Sequence, residues 1–293
     1  MLLKGKNIVI TGSGRGIGKE VALACAREGA NMGLTSRTRE ELDNTKKEIE
    51  DLGTGVKVVI VTGDISKYED TENIFKNLHN ELGPLDGVIA NAGYSRRGSS
   101  DTFEIMKFRQ ILDVNILGVY FTFRAALPHL RKDDKKNKAR FIVTGSGAYQ
   151  TIMPLFASYT ASKWGVVGLV KALAAEYKKE NITFNIILPT MVDTRLLRGR
   201  KAGDGKKDDF IMNPWDLNEY YLFLLSDEAN RINDEMIYTL DFQQVKKIIN
   251  EAPTDKKENW ETFQEYLEEK NPKLFNSVKK LRKFIEFLLL RRK

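Results

Sequence analysis

Short apolar runs alternate with longer amphipathic segments over residues 1–242. Most of the runs are rich in Val, Ile or Phe, and all have the length of buried strands. They lie at 7–11, 31–35, 57–62, 85–90, 140–144, 183–188 and 235–240. Most segments between them place apolar residues three and four positions apart, as in helices that bury one face. This alternation predicts an α/β fold, with a parallel sheet of about seven strands covered by helices on both faces.

A glycine-rich turn separates the first predicted strand from a predicted helix at 20–28. The turn has the sequence TGSGRGIG and covers residues 11–18. Glycines allow a tight turn and a close approach to a ligand. The helix that follows offers free N–H groups and a positive dipole end to phosphate. This strand–turn–helix order predicts a dinucleotide-binding site, with an ordinary connecting loop as the alternative.

The second predicted strand leads into Ser36 and Arg37 without an acidic residue. In dinucleotide-binding folds an acid at this point binds the ribose 2′-hydroxyl of NAD, whereas an arginine accommodates the 2′-phosphate of NADP. Arg15 can approach the same position from the glycine turn. These residues favour NADP(H) over NAD(H). The alternative is that Arg37 and Arg39 only begin a solvated helix.

Tyr159 and Lys163 are four residues apart in a segment that is predicted to begin a helix, so they share one face. A neighbouring ammonium favours the phenolate and lowers the pKa of a tyrosine. A phenol tuned in this way can give or take a proton during catalysis. Ser146 follows the fifth predicted strand and can reach the same reacting oxygen. The spacing alone does not separate this interpretation from a surface tyrosine packed on a lysine stem.

Asn115 lies among apolar residues of a long predicted helix at 103–130. A buried amide must find hydrogen-bond partners. Two interpretations fit the sequence: an amide with a functional role, or an amide that bends the helix or bridges to a strand.

Composition limits the chemistry and the location of the protein. The single cysteine, Cys25, excludes an internal disulfide, and two histidines without a Cys/His cluster predict no metal site. No apolar run approaches the roughly 20 residues that span a bilayer, and the N-terminus lacks the pattern of a signal peptide. We therefore expect a cytoplasmic protein.

Charge is concentrated at the end of the chain. The net charge is +7, and residues 243–293 contribute +5 of it, with 13 Lys or Arg against 8 Asp or Glu. A basic tail permits contact with nucleic acid or an anionic membrane. It is more often a solvated helix face, so we expect no nucleic acid partner.

Together these elements resemble the short, single-domain branch of the short-chain dehydrogenase/reductase family, including 3-oxoacyl-reductase-like members. The resemblance covers residues 1–242. It is carried by Thr11-Gly12-x-x-x-Gly16-x-Gly18, Asp64, Asn91-Ala92-Gly93, Asn115, Ser146, Tyr159-x-x-x-Lys163, and Pro189 with Val192 and Thr194. It implies a Rossmann-type doubly wound sheet in a catalytic domain at 1–242, followed by a basic helical extension at 243–293.

The resemblance also implies roles for individual residues. The implied catalytic residues are Asn115, Ser146, Tyr159 and Lys163. Cofactor contacts are implied for Gly12, Ser13, Arg15, Gly16, Ile17, Gly18, Ser36, Arg37, Asp64, Ile65, Asn91, Ala92, Gly93, Tyr159, Lys163, Pro189, Val192 and Thr194. Tyr159 is expected to act as general acid/base while hydride passes between NADPH and a carbonyl, whose oxygen Ser146 polarises. Lys163 is expected to bind the nicotinamide ribose and to lower the pKa of Tyr159, and Asn115 to hold a water in a proton relay.

The substrate and the assembly are less well defined. We expect a small-molecule carbonyl or alcohol, in a pocket whose candidate residues are Tyr94, Arg96, Arg97, Tyr149, Gln150 and Met153. The polar segment at 193–213 has the glycine content of a mobile lid. A homodimer or homotetramer is expected, although the glycine pair that the family usually has near the C-terminal end of its domain is absent from 238–242. Thr190 replaces a glycine that usually follows the proline.

Three helices are predicted in the extension, at 243–251, at 256–269 and after Pro272. The last carries an apolar stripe made of Val278, Leu281, Phe284, Ile285, Leu288 and Leu289, opposite Lys279, Lys280, Arg282 and Lys283. Packing of this stripe against protein is the favoured interpretation, and contact with an anionic membrane is the second. A catalytically silent NADP-binding protein that acts through this helical tail is the alternative to an enzyme.

Overall fold

The computed structural model of the protein describes residues 1–130, 138–198 and 211–291. The chain forms two compact units, Met1–Ile237 and Tyr238–Lys293. The first unit is a sheet with helices, and the second is helical. The predicted domains, 1–242 and 243–293, start the second unit at residue 243, slightly later than the observed start at Tyr238.

Seven strands form one sheet in the order β3-β2-β1-β4-β5-β6-β7. The strands are β1 Asn7–Thr11, β2 Asn31–Ser36, β3 Val58–Thr62, β4 Gly87–Ala90, β5 Ala139–Thr144, β6 Ile182–Leu188 and β7 Glu235–Tyr238. The pairs from β3 to β6 are parallel. Every residue of β1, β4, β5 and β6 is buried, as expected for a parallel sheet covered on both faces. The predicted α/β fold of Rossmann type is confirmed.

The helices of the first unit pack in two groups. They are α1 Gly16–Arg27, α2 Arg39–Glu50, α3 Tyr68–Leu82, α4 Ile105–Leu112, α5 Gly118–Ala126, α6 Ala157–Glu176, α7 Arg195–Arg198 and α8 Asn218–Leu225. Helix α1 contacts α2 and α8, whereas α3 contacts α5 and α4 contacts α6. Two such groups are the two helical layers of a doubly wound sheet.

The strand order reverses next to β1, which pairs with β2 on one side and with β4 on the other. In the register of this centre, Ile8 lies opposite both Met32 and Gly87. A reversal of this kind leaves a crevice at the carboxyl ends of the two central strands, where ligands bind in doubly wound folds.

The long helix predicted at 103–130 is interrupted by a π-helical segment. Asp113–Leu117 forms this segment between α4 and α5, and a short 3₁₀ turn at Leu127–His129 follows α5. By length and apolar composition, the stretch Ile105–His129 could cross a membrane, which the search for apolar runs did not reveal; half of its most apolar window is buried inside the protein, as in a core helix.

The second unit contains α9 Thr239–Glu251, α10 Trp260–Lys270, α11 Pro272–Val278 and α12 Arg282–Leu290. The predicted strand at 235–240 is too long, because Thr239 and Leu240 already belong to α9. Thr239, Phe242, Val245 and Ile249 are buried at helical spacing, and this pattern starts the helix earlier than predicted.

The apolar stripe of the extension is buried as favoured. Its members are buried on α11, a 3₁₀ turn at Lys279–Leu281 and α12, and the four opposing cations are exposed. The rings of Phe242 and Phe284 lie 4.8 Å apart, centroid to centroid, inside this unit. The 3₁₀ turn divides what the sequence predicted as one helix.

Candidate functional site

The glycine turn packs tightly against the end of β4. Gly12 has φ +69°, and a Cβ atom there would lie 2.8 Å from the Cα of Ala92. A Cβ atom at Gly18 would lie 2.6 Å from the side-chain nitrogen of Asn91 and would also clash with the Gly12 carbonyl. Gly16 has φ +56°. Only glycine fits these positions, so the backbone of the turn and the N-terminus of α1 stay accessible at the crevice.

Hydrogen bonds tie the carboxyl ends of β1, β4 and β5 together. The hydroxyl oxygen of Thr11 accepts from the N–H groups of Asn91 and Ala92, both at 3.1 Å. The Asn91 amide donates to the Thr11 carbonyl at 3.0 Å, and the hydroxyl of Thr144 donates to the Asn91 amide oxygen at 3.2 Å. Three predicted strand-end positions therefore form one network.

Tyr159 and Lys163 lie on one buried face of α6, close to this network. Tyr159 is 8% exposed and Lys163 is 6% exposed. The Lys163 ammonium lies 5.5 Å from the centre of the Tyr159 ring and donates to the Thr144 carbonyl at 3.1 Å. Ser146 lies close enough to the phenol of Tyr159 to lower its pKa. The structure thus brings together three of the four predicted catalytic side chains at the end of β5.

Burial controls the titration of this pair. It raises the pKa of Tyr159, and the hydrogen bond from Ser146 opposes that rise. Burial also lowers the pKa of Lys163 to about 8. The expectation that Lys163 lowers the pKa of Tyr159 is therefore not met here. Removal from water disfavours the phenolate more than the local hydrogen bond favours it.

Asn115 lies in the π segment and is fully hydrogen-bonded. Its amide oxygen accepts from the N–H of Tyr94 at 2.8 Å, and its nitrogen donates to the Tyr94 carbonyl and the Ser162 hydroxyl, both at 2.9 Å. Ser162 in turn donates to the Tyr159 carbonyl at 2.7 Å. Asn115 thus bridges the loop after β4 to α6, and its role in a proton relay stays a prediction.

The predicted site for the NADP 2′-phosphate contains an acid that the sequence analysis missed. Arg15 donates from one guanidinium nitrogen to both carboxylate oxygens of Glu41, at 2.6 and 2.9 Å, and Arg195 donates to the same carboxylate at 3.1 Å. Ser36 lies next to this group, since a Cβ atom at Gly14 would touch both Ser36 and Glu41. In the sequence, the only feature that pointed to this contact was the acidic first turn of the helix after β2.

Arg37 differs from Arg15, because it is exposed and makes no ion pair within the part of the chain that the structure describes. Ser36 hydrogen-bonds Thr38 through its hydroxyl, at 3.2 and 3.3 Å. The buried hydroxyl of Ser13 donates to the Thr35 carbonyl at 3.3 Å. Ser13 is therefore a structural contact of the turn, at least through its side chain.

The remaining predicted cofactor residues line the same edge of the sheet. The Asp64 carboxylate accepts from the N–H and hydroxyl of Ser66, at 3.0 and 2.8 Å, and Ile65 packs against Gly118. The Pro189 carbonyl accepts from Gly147 at 2.6 Å. Ile17 is half-buried at the start of α1. A Cβ atom at Gly93 would lie 3.5 Å from the Asn115 amide oxygen. The methyl group of Thr194 lies 3.3 Å from the position of a Cβ atom at Gly16.

The predicted lid at 193–213 falls partly outside the described residues, which omit 199–210. Its two ends are hydrogen-bonded to each other. The N–H of Asp193 donates to the Met212 carbonyl at 2.8 Å, and the N–H of Met212 donates to the Met191 carbonyl at 2.9 Å. Val192, a predicted cofactor contact, is buried in the same bridge.

The predicted substrate residues divide into two places. Tyr149 packs against Trp164, with ring centroids 4.5 Å apart and planes tilted by 50°, in the turn just before Gln150 and Met153. Arg96 and Arg97 line a cavity of about 290 Å³ in the loop before α4. Within the described residues, no group of three or more His, Cys, Asp or Glu side chains could hold a metal ion.

A seven-stranded doubly wound sheet has a glycine turn at its centre, with Ser146 and the buried Tyr159 and Lys163 beside it. This arrangement defines a dinucleotide-dependent class of protein. Residues 6–205 match the family model described as short chain dehydrogenase. The protein therefore belongs to the short-chain dehydrogenase family.

Individual relatives cover different parts of the chain. The 3-ketodihydrosphingosine reductase of Mus musculus is 31% identical over 197 residues, which are 66% of this chain and 58% of that protein. This chain thus matches less than two thirds of the length of that reductase. The (-)-trans-carveol dehydrogenase of Rhodococcus erythropolis is 29% identical over 269 residues, with 80% of this chain and 96% of the relative covered.

Solved structures share the fold over most of the chain. The 3-ketoacyl-(acyl-carrier-protein) reductase from Brucella melitensis, complexed with NADH, has a TM-score of 0.73 at 29% identity and covers 80% of this chain and 97% of its own. A short chain dehydrogenase from Burkholderia cenocepacia J2315, in complex with NADP, has a TM-score of 0.72 at 26% identity and covers 81% and 97%.

Proposed function

We propose that the protein is an NADP(H)-dependent oxidoreductase that interconverts a carbonyl and an alcohol. The observation that carries the proposal is the buried Tyr159 phenol, whose pKa is influenced by nearby Ser146 and which lies one helical turn from Lys163. Membership of the short-chain dehydrogenase family supports it. So do relatives whose names describe reduction of a ketone or oxidation of an alcohol.

The residues around the crevice fit a dinucleotide. A pyrophosphate needs backbone N–H groups without side chains in front of them, and Gly12, Gly16 and Gly18 leave that space. Lys163 supplies a buried ammonium with one fixed hydrogen bond, to Thr144, and further donors free to bind ribose hydroxyls. In our proposal the other predicted contacts at the strand ends hold the adenosine and nicotinamide sides.

The chain's own residues then handle the proton. The bound nicotinamide supplies the hydride for the carbonyl carbon or accepts it in the reverse direction. Tyr159 gives its phenolic proton to the carbonyl oxygen, a direction that suits a phenol whose pKa burial has raised. Ser146 donates to the same oxygen or to the phenolate that remains.

A change of Tyr159 to Phe tests the enzymatic part of the proposal. The ring keeps its packing against Phe156, whose centroid lies 6.4 Å away, so the fold is expected to survive. NADPH oxidation would be followed over a panel of ketones, and we expect the wild type to turn over at least one class. Tyr159→Phe should lose about 10²-fold or more in kcat while binding NADPH normally. If NADPH binds but no class of ketone shows Tyr159-dependent turnover, the proposal that the protein is an enzyme is refuted.

Cofactor preference is a separate part of the proposal. Ser36, Arg37 and Arg15 favour a 2′-phosphate, although Glu41 already neutralises part of Arg15. Complexes with NADH and with NADP both occur among the similar solved structures. Arg37 is exposed and makes no ion pair with the described residues, so it is the cation most available to the phosphate.

The matched test replaces Arg37 by Asp, with Arg39→Asp as the control. Arg39 lies two positions further on and pairs with Asp43 within α2. We expect Arg37→Asp to weaken NADPH binding by about tenfold or more and NADH binding by less than twofold, because a charge-assisted contact is lost and repulsion is added. Equal weakening of both cofactors by Arg37→Asp would remove the NADP preference.

We also propose a cytoplasmic homo-oligomer whose extension packs as protein. Short-chain dehydrogenases typically form oligomers, and α4 exposes Ile105 and Met106. Light scattering would measure the assembly, and a monomer would contradict it.

Since the apolar stripe of the extension is buried, co-sedimentation with anionic vesicles is expected to fail, and membrane fractions of cells should lack the protein. Sedimentation with anionic vesicles would contradict both the packing of the extension as protein and the cytoplasmic location.

A further inference from the structure

A cavity of about 290 Å³ lies in the loop before α4 and carries an excess of positive charge. The charged residues of its lining are Arg96, Arg97, Glu104 and Lys107. Three cations thus face one carboxylate. Gly98 packs directly against the ring of Phe103, so that any larger side chain at this position would intrude on the lining.

Two of the three cations are not neutralised. Arg96 donates to the Tyr94 hydroxyl at 3.0 Å and interacts with Glu104. By contrast, neither Arg97 nor Lys107 makes an ion pair within the described ranges. Asp101, the neighbouring acid in the loop, accepts hydrogen bonds from Ser99 and Thr102. Unpaired cations in a concave surface attract and hold an anion more strongly than the same cations on a flat surface.

The cavity is connected to the candidate catalytic residues on two sides. The main chain of Tyr94, just before the cavity loop, is held by Asn115, which also bonds Ser162 on α6. On the other side, the N–H of Gly98 donates to the Leu155 carbonyl at 2.9 Å, and α6 with Tyr159 begins two residues after Leu155. The loop cannot shift far without breaking one of these contacts.

Two apolar residues, Ile152 and Leu155, lie in the segment just before α6, which contacts the cavity loop through Leu155. Leu155 has φ +71°, a strained conformation for a residue with a Cβ, and its side chain stays 37% exposed. Ile152 is 74% exposed in the same turn. Exposed apolar residues beside a binding site can pack against the apolar part of a substrate.

We propose that the cavity at 96–107 binds an anionic group, a carboxylate or a phosphate, at the far end of the carbonyl substrate. Arg97 and Lys107 contact this group, and the apolar part of the substrate lies along Leu155 and Ile152. The proposal rests on the proposed function, because the carbonyl end is the one that reaches Tyr159 and Ser146. It narrows the substrate class to ketones or alcohols that carry a negative charge apart from the reacting carbon.

Paired compounds test the anion directly. One pair is a 3-oxoacyl-CoA and the N-acetylcysteamine thioester of the same acyl group, which lacks the phosphates. The other is a long-chain oxo acid and its methyl ester, which lacks the carboxylate. Wild type, Arg97→Gln, Lys107→Gln and the double variant are compared, with Lys76→Gln as the control, an exposed lysine on α3 outside the cavity.

We expect kcat/KM of the wild type to favour the charged member of one pair, and that pair identifies phosphate or carboxylate as the source. Each cation removed should lower kcat/KM for the charged member by about tenfold, through KM, and leave the neutral member within twofold. Lys76→Gln should change neither. Added salt should reduce the preference of the wild type only.

Calorimetric titration with the same pairs reads the subsite even without turnover. Tighter binding of a charged member that disappears in the double variant supports the subsite. Equal affinity of the wild type for both members of both pairs, or equal losses for charged and neutral members in the variants, overturns it. Absence of Tyr159-dependent turnover together with anion-selective binding would refute the proposed function while the subsite stands.

Discussion

Arg15 and Glu41 form an ion pair in which one guanidinium nitrogen lies 2.6 and 2.9 Å from the two carboxylate oxygens. Arg15 belongs to the glycine turn and Glu41 to the first turn of α2. The same carboxylate accepts from Arg195 at 3.1 Å, so Glu41 joins three segments around Ser36. A cofactor phosphate that binds here must compete with a carboxylate for Arg15.

This competition predicts the effect of Glu41→Gln. Removing the carboxylate charge frees Arg15, so NADPH should bind about two- to fivefold more tightly, the range expected for an exposed ion pair. NADH, which lacks the phosphate, should change by less than twofold. Fluorescence titration of both cofactors measures this, with the exposed neighbour Glu40→Gln as the control. Weaker binding of NADH alone would instead make Glu41 the ribose-binding acid.

Lys163 predicts a pH-dependent stability difference. Its pKa is about 8 in the folded protein, against an ordinary value of 10.5, so between these values the unfolded chain binds more protons than the folded one. Stability of the wild type therefore rises with pH through this window by up to about 3 kcal/mol from this group. Lys163→Met lacks the penalty of burying an ammonium.

Urea denaturation at pH 7, 8, 9 and 10 measures the effect. The free energy of unfolding of Lys163→Met relative to wild type should be highest near pH 7 and should fall as pH rises. Lys171→Met, on the same helix but paired with Asp234 at the surface, controls for the loss of a lysine. A difference that does not vary with pH would contradict a lowered pKa for Lys163.

Gly12 and Gly53 form a matched pair for the glycine turn. Both have positive φ, +69° and +66°, but a Cβ at Gly53 would meet nothing within 4 Å, whereas one at Gly12 would meet Ala92 at 2.8 Å. Gly53→Ala should cost about 1–2 kcal/mol of unfolding free energy from backbone strain alone. Gly12→Ala should cost more and should abolish nucleotide binding. Equal costs would show that the turn does not depend on the close approach.

Asn115→Ala separates a bridging amide from a relay amide. The change leaves the Tyr94 N–H and carbonyl without their partner, so we expect a loss of about 1–3 kcal/mol in unfolding free energy. Asn77→Ala, which removes only a local bond to Asn73 at the surface, should cost little. Loss of turnover in Asn115→Ala at unchanged stability would favour the relay.

Most of the sheet was predictable because its strands are buried on both faces. Such strands are continuous apolar runs, and the predicted β1 and β6 differ from the observed ones by at most a residue. Helix starts were less visible. Helix α1 begins at Gly16, earlier than predicted. Its first turn contains glycines, which have low helical propensity, so the sequence did not indicate a helix there.

The site was predictable where strand ends fix it. Thr11, Asn91 and Thr144 each follow or end an apolar run, and parallel strands bring their carboxyl ends to one edge. Two features depended on tertiary packing. The contact between Glu41 and Arg15 depends on how α2 is oriented in the folded protein. The raised pKa of Tyr159 depends on the burial of its side chain.

The π segment at Asp113–Leu117 preserves the rotational phase of everything after it. It contains one residue more than regular α-helical winding needs. Because the wide turn absorbs that extra residue, deleting it would leave a regular α-helix with Val119 and Phe123 still facing the core. Deleting a residue from a regular α-helical stretch would instead turn everything after it by about 100°. Length changes in this helix are therefore tolerated only when they keep that phase, which makes the segment a fixed reference point for redesigning the chain.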